Sequence, residues 1–136
     1  METTRAVIDT DILIDLLRNE TKVVDSITQM EKKGCLLATT TINAFELFHG
    51  AYKSKRREKN LAATKTLLKR LIILKMELTS AQNAARIYAQ LEKEGQAIGL
   101  RDVMIAAITQ TKSYSLATRN IEHFQKIKGL NLIPIP

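Results

Sequence analysis

The chain has no tryptophan, one cysteine and two prolines among its 136 residues, and aromatic residues make up only 4% of it. The single cysteine, Cys35, excludes an internal disulfide framework and is typical of proteins in a reducing compartment. Long apolar runs are also missing, since none approaches the ~20 residues that a membrane-spanning helix needs. The amino-terminal apolar stretch carries Asp9, Asp11 and Asp15, which a secretory signal would not contain. We therefore expect a cytoplasmic protein with no membrane association.

Positive charge is in surplus, with a formal net charge of +7 at pH 7. Such a surplus favours polyanionic partners through long-range attraction and counterion release, so nucleic acid leads the list of partner classes. The hydrophobic fraction of 45% and the charged fraction of 26% are ordinary for a globular protein. A length of 136 residues fits one domain, residues 1–136, rather than two.

The stretch from Arg5 to Leu17 organises the rest of the chain. The apolar run of residues 6–8 ends at a carboxylate, Asp9, and apolar residues at helical spacing begin within three residues of it. A short buried strand followed at once by a helix is the opening of an α/β unit. Ligands bind to open parallel sheets at the carboxyl ends of the strands, which is where the sequence puts Asp9.

The periodicities along the rest of the chain alternate between strand and helix patterns. The predicted order is a strand, two helices, a strand, two helices, the segment Ile72–Leu74, two helices, a strand, a short helix and an edge strand. Ile72–Leu74 either closes the helix before it or forms a short third strand. This alternation predicts an α/β fold, a three-layer α/β/α sandwich with a central parallel sheet of four to five strands.

Details of three helix starts follow from the sequence. Thr40–Thr41 supplies cap residues for a helix, Thr79–Gln82 has the spacing of a capping box, and Asn120 is suited to cap a short helix after the fourth strand. The helix after Thr40 is predicted to present one apolar face, which also makes it a candidate dimer face. The residues of that face are Ile42, Phe45, Phe48, His49 and Tyr52.

Three acids and an amide stand at predicted strand or helix ends. Asp9 follows the first strand, Glu46 the second, Asp102 opens a helix that is apolar on all sides, and Asn120 follows the fourth strand. If the first and fourth strands are neighbours at the switch point of the sheet, these side chains converge on one cleft. Three carboxylates cannot all stay ionised there without compensation, because like charges raise one another's pKa.

A divalent cation would supply that compensation. Oxygen ligands without a cysteine or histidine motif favour Mg²⁺ or Mn²⁺ over zinc. Such a site suits phosphodiester hydrolysis, in which the metal activates water and neutralises charge on the transferring phosphorus.

Exposed basic residues form the second candidate surface. Five positive residues occupy seven positions from Lys53 to Lys59. This segment is either a solvated helix start or an RNA-facing patch, because phosphate contact needs only exposed charge of this kind. We interpret the two histidines, His49 and His123, as structural or surface residues rather than as general bases.

Four segments of the chain resemble the motifs of PIN-domain ribonucleases, in particular VapC-type toxins of type II toxin–antitoxin pairs. They occur in order and together cover nearly the whole chain. The segments are Ala6–Leu13 (AVIDTDIL), Thr41–Gly50 (TINAFELFHG), Gly99–Ala107 (GLRDVMIAA) and Leu116–Asn120 (LATRN).

The resemblance implies a Mg²⁺- or Mn²⁺-dependent RNA-cleaving α/β/α domain, a homodimer held inhibited by a cognate antitoxin. It carries over Asp9, Glu46 and Asp102 as the catalytic acids, with Asp9 and Asp102 as the metal ligands. Three further residues lie near that site in this interpretation: Thr118 as a hydroxyl, Asp11 at the helix start and Asn120. The candidates for contact with the RNA backbone are Lys53, Lys55, Arg56, Arg57 and Arg119.

One position departs from the resembled pattern. The fourth acidic position is often an aspartate in PIN-domain ribonucleases, and this chain has Asn120 there. An amide can bind or orient water but lacks the negative charge, which puts a second metal ion in question rather than activity.

Two other functions are open to a chain with these residues. The Asp9-Thr-Asp11 sequence imitates the opening of haloacid-dehalogenase-like phosphatases, with Asp9 as nucleophile, although Leu13 and the lack of a paired acid near Asp102 depart from that motif. A catalytically inactive RNA- or partner-binding module would keep the same fold, although a phosphate-binding cleft is better served by lysines than by three acids.

Overall fold

The computed structural model describes residues 4–136, so residues 1–3 of the predicted domain lie outside the described part. Strands and helices follow one another in the predicted order, and none of the described helices is long and apolar enough to cross a membrane. The elements are β1 (Arg5–Ile8), α1 (Thr10–Leu17), α2 (Thr21–Lys32), β2 (Leu36–Thr40), α3 (Thr41–Lys53), α4 (Arg57–Lys69), β3 (Ile72–Leu74), α5 (Leu78–Lys93), α6 (Leu100–Thr111), β4 (Ser115–Thr118), α7 (Ile121–Phe124) and β5 (Leu132–Pro134).

The sheet has five strands in the order β3-β2-β1-β4-β5, and every neighbouring pair is parallel. The chain builds outward from β1 to β3 on one side and then returns to add β4 and β5 on the other. The switch point therefore lies between β1 and β4, so the condition under which the acidic side chains converge on one cleft is met.

Helices cover both faces of the sheet, which confirms the three-layer sandwich. Because side chains alternate along a strand, Ala6 and Ile8 of β1 pack into one core while Val7 packs into the other. The first core is closed by α1 to α4, and the second by α5 and α6 with Phe124 of α7. Helix α6 is buried along most of its length, as its uninterrupted apolar sequence predicted.

The predicted apolar face of α3 is wrong. The helix buries Asn43, Leu47 and Ala51, whereas Phe45 and Tyr52 are 56% and 55% exposed. The packed side uses small and aliphatic residues against α1 and α4, and the amide of Asn43 is buried because it finds hydrogen-bond partners there. The aromatic side of α3 faces outward.

Two helix starts also differ from prediction in detail. Helix α5 begins two residues earlier than the Thr79–Gln82 spacing indicates, because the Ser80 hydroxyl accepts a hydrogen bond from the Glu77 N–H at 2.7 Å. Asn120 does stand at the N-cap of α7, but its side chain makes no capping hydrogen bond. Thr40 caps α3 as predicted, with Asn43 completing the capping box.

Candidate active site

Asp9 lies at the carboxyl end of β1, beside the switch point, and is only 7% exposed. Its N–H donates to the Ala117 carbonyl at 3.0 Å, which extends the pairing between β1 and β4 by one residue. Both carboxylate oxygens are held: Oδ1 accepts from the Thr10 N–H at 2.9 Å, and Oδ2 accepts from the Thr118 hydroxyl at 2.8 Å. The carboxylate is therefore fixed in one orientation.

Burial raises the pKa of Asp9 above its ordinary value of 3.8. The hydrogen bonds from Thr118 and Thr10 act in the opposite direction, while the negative charges of Asp102 and Asp11 raise the pKa further. Asp102 is thus close enough to Asp9 for its negative charge to affect the pKa of Asp9. A cation between these two carboxylates would offset both the burial and the repulsion.

The raised pKa of Asp9 predicts how the stability of the metal-free chain depends on pH. At pH values between 3.8 and the raised pKa, Asp9 is protonated in the folded chain and ionised in the unfolded chain. The folded chain therefore binds one more proton, and the stability that this proton contributes is lost as pH rises. Relative to Asp9→Asn, the wild-type chain should therefore gain stability as pH falls from neutral toward about 4. Urea unfolding of both proteins in chelator at several pH values measures this difference. A difference that stays constant with pH would contradict the prediction.

Glu46 is connected to Asp9 through Thr10. The Thr10 hydroxyl donates to Glu46 Oε1 at 2.8 Å, while the N–H of the same residue is bound to Asp9. The Thr10 hydroxyl in turn accepts from the Asn43 amide at 2.8 Å, and Asn43 is fully buried. On its open side, Glu46 Oε2 lies 3.9 Å from Arg101 Nη1. Glu46 is thus held by hydrogen bonds that run through Thr10 to the buried Asn43, and its other oxygen faces the exposed guanidinium of Arg101.

Three of these residues were not predicted from the sequence as parts of the site: Thr10, Asn43 and Arg101. Asn43 stands three residues after Thr40, the spacing of a capping box, and that signal could have identified it as a buried polar residue. For Thr10 and Arg101 the only signal was adjacency to Asp9 and Asp102.

Asp102 stands in the first turn of α6 and contacts a residue that we had not assigned to the site. Its Oδ2 lies 2.8 Å from His123 Nε2, on α7. The Asp102 side chain is 33% exposed, much more than Asp9. We had interpreted His123 as a structural or surface residue, and the structure places it against a candidate metal ligand.

The auxiliary residues occupy different positions around Asp9. Thr118 is fully buried, and its hydroxyl accepts from the Asn120 N–H at 3.0 Å while it donates to Asp9. Asn120 thus supports the site through its backbone. Asp11 is exposed on α1 and acts on Asp9 through its charge.

The five candidates for contact with the RNA backbone are all exposed, but Arg119 differs from the other four in its location and partners. Lys53, Lys55, Arg56 and Arg57 span the end of α3, the connecting turn and the start of α4. Arg119 instead pairs with Asp15 and donates from Nε to the Pro136 carbonyl at 3.2 Å.

The carboxylate oxygens of Asp9 and Asp102 are ligands that suit a hard divalent cation. Among residues 4–136, no group of three or more His, Cys, Asp or Glu side chains is placed to hold a metal ion. Asp9 and Asp102 act on each other electrostatically, and Glu46 reaches Asp9 only through Thr10. Mg²⁺ keeps several of its waters and is commonly bound through one or two carboxylates. A site formed by the two carboxylates of Asp9 and Asp102 would suit this mode of Mg²⁺ binding.

Comparison with known proteins gives one family. The family model described as PIN domain matches residues 6–130. Similar proteins include "Ribonuclease VapC2" of Haemophilus influenzae, 32% identical over 90% of this chain and 92% of that protein. Another is "tRNA(fMet)-specific endonuclease VapC" of Shigella flexneri, 29% identical over 90% of this chain and 92% of that protein.

Solved structures show the same likeness. VapBC2 from Rickettsia felis, bound to a promoter DNA fragment, matches with a TM-score of 0.90 and 25% identity, over 98% of this chain and 100% of that chain. DNA-bound VapBC from Salmonella typhimurium matches with a TM-score of 0.85 and 25% identity, over 98% of both chains.

Proposed function

The chain belongs to the PIN-domain family, and from that premise we propose that it is a divalent-metal-dependent ribonuclease, the toxin of a toxin–antitoxin pair. The observation that carries the proposal is the buried carboxylate of Asp9 at the switch point, with the charge of Asp102 beside it. The ribonuclease and endonuclease names of its relatives support the same reaction class. We take residues 1–136 as one nuclease domain.

Asp9 and Asp102 are the residues that would hold the metal ion, Mg²⁺ or Mn²⁺. When bound, such an ion supplies an activated water and neutralises charge on the phosphate. The N–H of Thr10 and the hydroxyl of Thr118 keep the Asp9 carboxylate in one orientation, so little reorganisation accompanies binding. Burial of Asp9 makes its interaction with a cation stronger than it would be in water.

Glu46 and Arg101 complete the catalytic set. Glu46, held by the Thr10 hydroxyl, is the carboxylate available to accept a proton from an attacking water. Arg101 Nη1, at 3.9 Å from Glu46, is exposed and can contact a phosphate oxygen of bound RNA. These two roles require RNA to lie across the carboxyl ends of β1, β2 and β4.

The exposed basic residues supply the attraction for the RNA backbone. Lys53, Lys55, Arg56 and Arg57 form one continuous positive segment between α3 and α4. Binding through such residues releases counterions and weakens as salt increases. Arg119 is anchored to Asp15 and would act on RNA only by exchanging that partner.

Two protein partners belong to the proposal. The similar structures from Rickettsia felis and Salmonella typhimurium are VapBC complexes, which supports a cognate antitoxin for this chain. We also propose a homodimer, formed on the helix α3 that carries Phe45 and Phe48, whose outward-facing side exposes Phe45 and Tyr52. Covering two exposed aromatic side chains would be favourable. Metal-dependent RNA cleavage of this kind is proposed to take place in the cytoplasm.

Cleavage of RNA by the purified chain tests the function. We expect cleavage with Mg²⁺ or Mn²⁺, loss of cleavage in chelator and recovery when metal is added back, because the two carboxylates need the cation. Asp9→Asn purified in the same way controls for a contaminating nuclease. Gel analysis of defined RNAs and calorimetry of metal binding give the two readouts.

The outcomes separate the competing functions. RNA binding without cleavage, combined with absence of metal binding, would favour the inactive module. Turnover of small phosphomonoesters through an aspartyl-phosphate on Asp9 would favour the phosphatase.

A further inference from the structure

We propose that His123 positions Asp102 for metal binding and is not itself a metal ligand. His123 Nε2 lies 2.8 Å from one oxygen of the Asp102 carboxylate, Oδ2, which would leave Oδ1 to bind the cation. This inference rests on the proposed function, since it assigns a residue to the same metal site.

The three acids of the site differ in how they are held. Asp9 is buried and has a donor on each oxygen, and Glu46 accepts a hydrogen bond from the buried Thr10–Asn43 pair. Asp102 is more exposed than Asp9 and stands in the first turn of a helix, where a carboxylate can turn toward water. Contact with His123 restricts that freedom.

His123 is itself held firmly enough to act on Asp102. Its neighbour Phe124 is fully buried in the core, and the two rings meet edge to face with centroids 5.5 Å apart. Helix α7 follows directly on β4, whose Thr118 hydroxyl binds both Asp9 and the N–H of Asn120. The strand that fixes Asp9 therefore also fixes the helix that carries His123.

The contact determines which atom carries the proton. An ionised carboxylate has only acceptors, so in a hydrogen bond to Asp102 the Nε2 atom of His123 must carry hydrogen. Nε2 then has no lone pair for a metal ion, and the lone pair on Nδ1 points away from Asp102 and from an ion that Asp102 would bind. Nε2 of His123 therefore orients a ligand, as residues around metal sites commonly do.

Mn²⁺ binding to the intact chain tests the proposal without using activity. Loss of an orienting partner typically weakens metal affinity 10–100-fold, and we expect His123→Ala to weaken Mn²⁺ binding in calorimetry by about that factor. His123→Gln keeps an N–H donor and should recover most of the affinity. The matched control is Gln125→Ala, which truncates an exposed side chain at the C-cap of the same helix, α7. The control should bind Mn²⁺ like the wild-type chain.

Two further measurements separate positioning from other roles. In an Asp102→Asn background, His123→Ala should cause no additional loss of affinity, because the two residues act as a unit. Electron spin echo spectra of Mn²⁺ bound to the wild-type chain should show no directly coordinated nitrogen. Thermal unfolding in chelator identifies any variant that fails to fold, and His123→Gln decides if His123→Ala is such a variant.

Each contrary result is informative. Unchanged affinity in His123→Ala, no recovery in a folded His123→Gln, or a coordinated nitrogen in the spectra overturns the positioning role. Any of these results, together with RNA cleavage by the wild-type chain, leaves the proposed function intact. Absence of Mn²⁺ binding by the wild-type chain overturns both proposals.

Discussion

Asp9→Asn is expected to abolish RNA cleavage while the chain stays folded. The amide keeps an oxygen that can accept from the Thr10 N–H, and its NH₂ group can donate to the Thr118 oxygen. Both contacts therefore survive, but the direction of the second is reversed and the Thr118 hydroxyl hydrogen loses Asp9 as its acceptor. What disappears is the negative charge that would bind the cation. Metal stabilisation of the transition state is worth several kcal/mol, so we expect a loss of about 10³-fold or more in kcat/KM.

The stability of Asp9→Asn separates a lost site from a damaged fold. A buried carboxylate beside the charges of Asp102 and Asp11 is unfavourable without metal, as its raised pKa indicates. Loss of that charge offsets the lost acceptor of the buried Thr118 hydroxyl, so the variant in chelator should be close in stability to the wild-type chain at neutral pH. Urea unfolding measures this, and Asp25→Asn, on an exposed residue of α2, controls for a simple change in net charge. Cleavage retained by Asp9→Asn but absent from Asp102→Asn purified in the same way would remove Asp9 from the metal site, since that comparison excludes a contaminating nuclease.

The fold could be predicted because its signals are local. A short apolar run ending at Asp9 and an uninterrupted apolar run after Asp102 can each be recognised without knowing what packs against them. The alternation of strands and helices predicted a parallel sheet but not its strand order. The structure supplies that order, and β1 beside β4 puts the switch point where Asp9 ends its strand.

The face of α3 could not be predicted because two faces compete. The aromatic residues Phe45 and Tyr52 carry more apolar weight than Leu47 and Ala51, yet the smaller side is buried. Close approach of α3 to α1 and α4 favours small side chains, and the buried amide of Asn43 is compensated by partners distant in sequence. Tertiary packing therefore determines which face of α3 is buried.

The same limit explains the missing parts of the site. The contact of His123 with Asp102 joins residues 21 positions apart, and the contact of Thr10 with Glu46 joins residues 36 apart. Residue type and spacing could nominate the acids but could not identify which neighbours would orient them.

Thr118→Val should impair both stability and catalysis, because it removes a hydroxyl that is used in two directions. Thr118 is fully buried, donates to Asp9 at 2.8 Å and accepts from the Asn120 N–H at 3.0 Å. Valine has the same shape and removes both hydrogen bonds. The buried Asp9 carboxylate loses a donor at a cost of about 1–3 kcal/mol, whereas the N–H of the exposed Asn120 loses a smaller contribution. The hydrogen bond from Thr118 lowers the pKa of Asp9. Its loss therefore raises that pKa further and weakens metal binding.

Thr118→Ser is the matched control, since it keeps the hydroxyl and loses only a buried methyl group, which costs about 1 kcal/mol. We expect Thr118→Val to lose 10–100-fold in Mn²⁺ affinity and in kcat/KM, and Thr118→Ser to stay close to the wild-type chain in both. Calorimetry, cleavage assays and urea unfolding on the three proteins give the comparison. Equal metal affinity for the valine and serine variants would mean that the orientation of Asp9 is set by the Thr10 N–H and by burial alone. A larger loss in the valine variant assigns the hydroxyl of β4 a direct part in holding the metal-binding carboxylate.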